Sequence, residues 1–129
     1  MSVTTVVQPS DRPVEAWEDP LRGPIRWRTL LSKGLTDSDS ITCGIAMLSP
    51  GDHFVEHRHR ESELYFGIAG EVEVMVDGVA HTLRPETALF IPGDALHGIP
   101  KVGEEVRFLY AFAVDAFEAV TYVFPAEVP

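Results

Sequence analysis

The sequence breaks into a succession of short segments that favour β-strands, and turn residues separate most of them. The sharpest turn is Asp77-Gly78, a two-residue hairpin signal between apolar runs. No segment sustains a helical period, and prolines interrupt residues 1–24. The candidate strands are 25–31, 41–48, 53–59, 63–68, 71–76, 79–83, 88–91, 97–99, 106–114 and 119–124. About nine or ten short strands without a helix predict an all-β sandwich or barrel.

The length of 129 residues fits a single domain. Residues 1–24 are rich in proline and charged side chains, so we interpret them as an N-terminal arm that lies on the domain, with Trp17 as a candidate anchor. Residues 25–129 then form the barrel domain. Because an open barrel leaves sheet edges to cover, and the arm is able to cover one, we expect a homodimer.

Charge and composition exclude several classes of partner. Ten Lys and Arg residues against 20 Asp and Glu give a net charge of −10, which repels nucleic acid and anionic membranes. No apolar run approaches the roughly 18–20 residues that span a bilayer. The N-terminus lacks the pattern of a signal peptide, so we expect a cytoplasmic protein. The single cysteine, Cys43, excludes an internal disulfide and leaves only histidine and carboxylate to bind a metal.

Three histidines and one glutamate have the spacing of metal ligands. His57 and His59 are two residues apart and project from the same face of a strand. Glu63 follows across a short turn, and His97 opens a later strand after Pro92-Gly93-Asp94. Alone, each histidine is more often a solvated or core residue. Together the four predict one divalent transition metal per chain (Fe, Mn, Ni, Zn or Co), with positions left for water or substrate.

This spacing resembles the cupin superfamily. The first cupin motif reads G-x5-H-x-H-x3-4-E-x6-G, and the chain matches each of its fixed positions. The matching residues are Gly51, His57, His59, Glu63 and Gly70. The resemblance implies a single-domain jelly-roll β-barrel that holds the metal inside its mouth.

The second cupin motif, G-x5-P-x-G-x2-H-x3-N, matches only in part. Pro92 and His97 stand at its proline and histidine. The other fixed positions carry Glu86, Asp94 and Lys101. Aspartate is among the residues that tolerate a positive φ, so the turn is retained in a looser form. None of the departures removes a predicted metal ligand.

Strand parity predicts which other side chains share the cavity. Tyr65 lies two residues after Glu63 and should point inward, where a nearby cation favours the phenolate and makes it a candidate base. The alternative is a tyrosine that fills the barrel with its hydroxyl hydrogen-bonded. Arg107 either clamps a carboxylate or points outward. Candidates for the cavity walls, all of which also suit a plain core, are Trp27, Met47, Phe108, Tyr110 and Tyr122.

The chain also resembles the small cupins that cleave dimethylsulfoniopropionate to acrylate and dimethyl sulfide. In that family the tyrosine two residues after the ligand glutamate removes the α-proton, and a second tyrosine near the C-terminus lines the pocket. Tyr65 and Tyr122 match these positions. The resemblance implies β-elimination on a small anionic or zwitterionic carboxylate, with the metal as Lewis acid. It rests on Trp17, the stretch 24–27, Glu63-Leu64-Tyr65, and a tail with Asp115, Phe117, Val120, Tyr122 and Pro125.

Other functions remain compatible with this ligand set. A non-haem Fe(II) dioxygenase of a diketone, thiol or aromatic substrate is separated from a lyase by its need for O2. A sugar isomerase would need many polar groups in the cavity, whereas the predicted inward residues are mostly aromatic and aliphatic. A non-catalytic metal- or ligand-binding module would bind without turnover.

Overall fold

The computed structural model describes residues 2–127 and contains ten β-strands. In these residues there is no α-helix, as the strand pattern predicts, and no helix long and apolar enough to cross a membrane. Short 3-10 turns lie at Pro9–Asp11, Pro20–Arg22, Phe117–Ala119 and Pro125–Glu127. The strands are β1 (Glu15–Ala16), β2 (Arg26–Leu31), β3 (Thr42–Leu48), β4 (Phe54–His57), β5 (Glu63–Ala69), β6 (Val72–Val76), β7 (Val79–Leu83), β8 (Ala88–Ile91), β9 (His97–Ile99) and β10 (Val106–Phe112).

The strands form two antiparallel sheets whose apolar faces share one core. The six-stranded sheet has the order β1-β2-β3-β10-β5-β8, and the four-stranded sheet has the order β4-β9-β6-β7. Within residues 2–127 no strand pair joins the two sheets, so the predicted jelly-roll barrel takes the form of two facing sheets. The core includes Leu48, Phe108 and Val106 from the larger sheet and Val74 and Ile99 from the smaller one.

Alternating side chains explain why the sheets pack in this way. In β10, Val106 and Phe108 are buried while Arg107 between them is exposed. Removing an aromatic or aliphatic side chain from water contributes about 1.5–3 kcal/mol each. The predicted hairpin is confirmed: Asp77 and Gly78 both have positive φ, at 47° and 81°, and connect β6 to β7.

The N-terminal arm packs against its own sheet. Glu15 and Ala16 pair with β2, opposite Trp27 and Arg26. Arg12 donates a hydrogen bond through Nε to the Thr29 carbonyl at 3.0 Å. The arm therefore covers the β2 edge of the six-stranded sheet and leaves β8 as its other edge.

The final candidate strand, 119–124, is not formed as predicted. Phe117–Ala119 is a 3-10 turn, and the following tail makes a single antiparallel bridge, Arg58 to Val123, with two backbone hydrogen bonds of 2.9 Å. The alternation in the tail reflects packing instead, because Tyr122 and Phe124 turn towards the core.

Candidate metal centre

The predicted ligands converge between the two sheets. His57 ends β4, His97 begins β9, and the two are cross-strand partners. His59 lies just beyond β4, and Glu63 begins β5 in the other sheet. All four side chains are buried, and the candidate ligand nitrogens of the three histidines lie within 4.8 Å of one another.

Backbone carbonyls fix how each imidazole is oriented. In every case Nδ1 donates to a carbonyl oxygen two residues away, at 2.8–2.9 Å. The proton is therefore on Nδ1, and Nε2 carries the free lone pair that a metal needs. The acceptors for His57, His59 and His97 are Val55, Glu61 and Ala95.

The donor set fits a divalent cation. The Nε2 atom of His57 is buried and has no hydrogen-bond partner within residues 2–127. Glu63 Oε1 lies 3.1 Å from Nε2 of His59 and 3.3 Å from Nε2 of His97. With Nδ1 of each ring already donating, these atoms bring lone pairs together in a buried space, where a cation satisfies them all. The three histidines are thus a group that can hold a metal.

Burial and charge also set the protonation of the site. Burial, followed by the electrostatic effect of the neighbouring His97, holds the pKa of His57 well below its usual value, so its imidazole is neutral, as ligation requires. Burial lowers the pKa of His59, but the hydrogen bond and charge of Glu63 outweigh it, and the net shift is upward. Burial, followed by the charge of Glu63, raises the pKa of both Tyr65 and Tyr122 well above 10.0.

A narrow cavity of about 30 Å³ lies beside Glu63. Its walls are aromatic and aliphatic apart from this carboxylate and three phenols, and no basic side chain of the described residues lines it. The structure places five of the predicted residues on these walls: Trp27, Tyr65, Phe108, Tyr110 and Tyr122.

Met47 and Arg107 lie on the other face of the six-stranded sheet. Met47 is the cross-strand partner of Arg107, whose side chain is exposed. In β3 the neighbouring residue Ala46 faces the cavity instead. Side chains alternate along a strand, so Met47 points away from the cavity, and Arg107 is not a carboxylate clamp within it.

Other wall residues come from segments whose role depends on distant contacts. Trp17 reaches the cavity from the arm, Phe54 from the start of β4, and Phe117 from the tail. A glycine inside a strand often marks a place where another group approaches the backbone closely, and Gly44 occupies such a position in the middle of β3. The Tyr110 hydroxyl lies directly over it, where a Cβ would collide with the phenol.

Comparison with known proteins identifies the family to which this fold belongs. Residues 44–112 match the family described as "Cupin domain", and the chain belongs to this family. It is 42% identical over 114 residues to dimethylsulfoniopropionate lyase DddW of Ruegeria pomeroyi, covering 88% of this chain and 75% of that protein. It is 37% identical over 85 residues to polyketide synthase CurC of Streptomyces cyaneus, covering 64% of this chain and 55% of that protein.

Solved structures support the same fold. The polyketide cyclase RemF from Streptomyces resistomycificus superimposes with a TM-score of 0.78 at 21% identity, covering 95% of this chain and 87% of that chain.

Proposed function

We propose that this cupin is a metal-dependent lyase that performs β-elimination on dimethylsulfoniopropionate or a closely similar carboxylate. The observation that carries the proposal is that a buried three-histidine group adjoins Glu63, which lines one aromatic cavity together with the phenol of Tyr65. The 42% identity to a dimethylsulfoniopropionate lyase over most of the chain supports the choice of reaction.

The four ligands of the proposed centre are His57, His59, Glu63 and His97. Glu63 qualifies because its Oε1 lies 3.1 Å and 3.3 Å from the Nε2 atoms of two of the histidines. Three neutral imidazoles and one carboxylate suit Fe, Mn, Ni, Zn or Co. When bound, such a metal supplies a Lewis acid that stabilises negative charge on a substrate carboxylate.

Tyr65 is the proposed base. Its side chain is 2% exposed, lines the cavity, and has its ring centroid 6.3 Å from that of His97. Burial alone keeps this phenol protonated, whereas a cation held by the adjacent histidines would favour the phenolate. To that phenolate oxygen we assign the removal of the α-proton of the substrate. As this C–H bond breaks, a C=C bond forms, the C–S bond breaks, and the sulfur leaves with its electron pair as neutral dimethyl sulfide. The products are then acrylate, dimethyl sulfide and a proton on Tyr65.

The aromatic walls suit the positive end of a zwitterion. Ring faces attract a sulfonium, and the cavity offers those of Trp17, Trp27, Phe117 and Tyr122. No basic side chain of the described part of the chain lines the cavity, so none repels the sulfonium there. Tyr122 lies between the metal ligands and these walls, with its ring centroid 5.2 Å from His57 and 4.9 Å from Trp17. We therefore assign Tyr122 a role in orienting the substrate.

To test the proposal, the protein is loaded with each candidate metal in turn and then incubated with dimethylsulfoniopropionate, with and without O2. The lyase proposal expects equal amounts of dimethyl sulfide and acrylate under anaerobic conditions, and a His57→Ala variant serves as the inactive control. Turnover that requires O2 would indicate a dioxygenase instead. Saturable binding without products would indicate a binding module, and either result would overturn the proposal.

We further propose a homodimer built on the outer face of the six-stranded sheet. Phe90 is 65% exposed, Ile68 39% and Phe66 37%, and they lie on the adjacent strands β8 and β5. Contiguous exposed apolar side chains of this size mark interaction surfaces. The arm already covers the opposite edge of this sheet, which leaves the β8 side for a second copy.

A further inference from the structure

The roof of the cavity is built from both ends of the described chain. Trp17 in the arm packs against Tyr122 in the tail, with ring centroids 4.9 Å apart, and against Trp27 at 5.1 Å. Neither segment is fixed by an extended strand pairing: β1 has two residues, and the tail makes one bridge to Arg58. Side-chain contacts must therefore hold the roof together.

Arg22 joins the two segments. Its guanidinium carbon lies 4.8 Å from the ring centroid of Trp17 and 4.3 Å from that of Phe124. Its Nε and Nη2 also donate to the two carboxylate oxygens of Glu127, at 3.1 Å and 3.4 Å. One side chain thus stacks between an arm residue and a tail residue and is ion-paired to the tail.

The local fold presents Arg22 in this position. It ends the 3-10 turn Pro20–Arg22, whose first turn is capped by Asp19, because the Asp19 carboxylate accepts a hydrogen bond from the Leu21 amide at 2.9 Å. Gly23 follows with φ of 108°, and its Cα packs so closely on the His53 carbonyl that a Cβ would collide with it. The turn is therefore held in place independently of the arginine side chain.

The cavity beneath this roof is narrow. Its volume of about 30 Å³ has room for only about two water molecules. A substrate of several heavy atoms therefore needs the roof to part before it enters.

We propose that Arg22 is a positioning residue that clasps the arm to the tail, closes Trp17 over the cavity, and so controls the entry of small molecules. This rests on the proposed function only in taking the cavity as the substrate site. Arg22 touches no reacting atom. Its loss should loosen the roof and weaken substrate capture without removing the metal ligands or Tyr65.

The two tryptophans make this clasp directly measurable. Trp17 and Trp27 are the only tryptophans in the chain, and both line the cavity. Fluorescence quenching by neutral succinimide therefore reports access to the roof, with no need for turnover. We expect Arg22→Ala to raise the quenching constant several-fold, and Arg22→Lys, which keeps the charge but loses the planar stacking, to restore it in part.

The matched control is Arg84→Ala. Arg84 forms an ion pair with Glu71 at 3.3 Å on the surface, away from the cavity. This variant should match the wild-type protein in quenching and in the rate at which a chelator strips the metal. In Arg22→Ala the rate of metal release should rise several-fold. If Arg22→Ala unfolds, Glu127→Gln, which removes only the ion pair, should show the same changes to a smaller degree.

In the active enzyme we expect KM to rise about tenfold in Arg22→Ala while kcat changes less than about twofold. Unchanged quenching and metal release in a folded Arg22 variant would overturn the clasp, whatever the activity. Failure of the wild-type protein to release dimethyl sulfide would overturn the proposed function instead, and the fluorescence result would still decide the clasp.

Discussion

His57 and His97 are cross-strand partners in β4 and β9, and their ring centroids lie 4.2 Å apart. Directly opposed residues of an antiparallel pair project from the same face, so the register of this sheet brings two imidazoles together. Glu63 comes from β5 in the facing sheet. The candidate metal centre therefore joins the two sheets, and its formation depends on their correct packing.

Removal of one of these imidazoles should abolish stable metal binding. We expect His57→Ala to weaken affinity by at least about 100-fold, because loss of an outer-shell partner alone costs about 10- to 100-fold. Metal content after dialysis, measured by mass spectrometry, checks this. His81→Ala is the control, since His81 is exposed on β7. A His57→Ala protein with a full complement of metal would contradict the assignment.

Metal removal should also lower thermal stability. A ligand that binds only the folded state at about 100 times its Kd stabilises it by about 2.7 kcal/mol. For a domain of this length that corresponds to a fall in Tm of about 10 °C when a chelator is added. Differential scanning calorimetry of loaded and stripped protein measures it. The same chelator should leave the Tm of His57→Ala unchanged.

Tyr65→Phe should separate the chemistry from metal binding. The substitution keeps the ring that packs on Phe108 at 4.4 Å, so the fold and the metal content should persist. We expect turnover to fall by about 10²- to 10⁴-fold, the usual contribution of a general base. Tyr110→Phe is the matched control, because the Tyr110 hydroxyl lies over Gly44. Equal losses in the two variants would exclude a special role for Tyr65.

The pairing of His57 with His59 is predictable from sequence because it depends on local spacing. His57 and His59 share a face through strand parity, and Asp77-Gly78 marks its hairpin by local backbone preference. The face of the sheet from which Met47 projects is not predictable in this way. Its strand, β3, buries Ile45 and Ala46 in succession, since both faces of this strand are largely covered, and alternation no longer distinguishes the two faces.

The cavity roof and the tail required the structure for a different reason. Trp17 reaches the cavity only because a two-residue strand docks the arm on β2. The alternation in residues 119–124 predicted a strand, yet the tail packs Tyr122 and Phe124 inward with a single bridge through Val123. Contacts between segments distant in sequence set both features, and no local pattern encodes them.

Gly44→Ala should disturb the part of the cavity wall that Tyr110 forms. A Cβ at this position would collide with the Tyr110 hydroxyl and with the Arg28 carbonyl. We expect a loss of about 1–3 kcal/mol in the free energy of unfolding, as for other overpacked cores. Gly103→Ala is the control, because no atom of the described residues lies within 4 Å of a Cβ there. Urea unfolding of both variants measures the difference, and equal stabilities would contradict the contact.

Phe90→Glu should dissociate the proposed dimer. Phe90 is 65% exposed on the edge strand β8, where it is the cross-strand partner of Leu64. A charge buried at the centre of an apolar interface carries a desolvation cost without a partner, so we expect dimer affinity to fall by more than about 100-fold. Val79→Glu is the matched control, since Val79 is 57% exposed on β7, the edge of the other sheet. Light scattering coupled to gel filtration should give a dimer for the wild-type protein and Val79→Glu and a monomer for Phe90→Glu. A wild-type protein that is a monomer would rule out the dimer. Dissociation by Val79→Glu alone would place the interface on the other sheet.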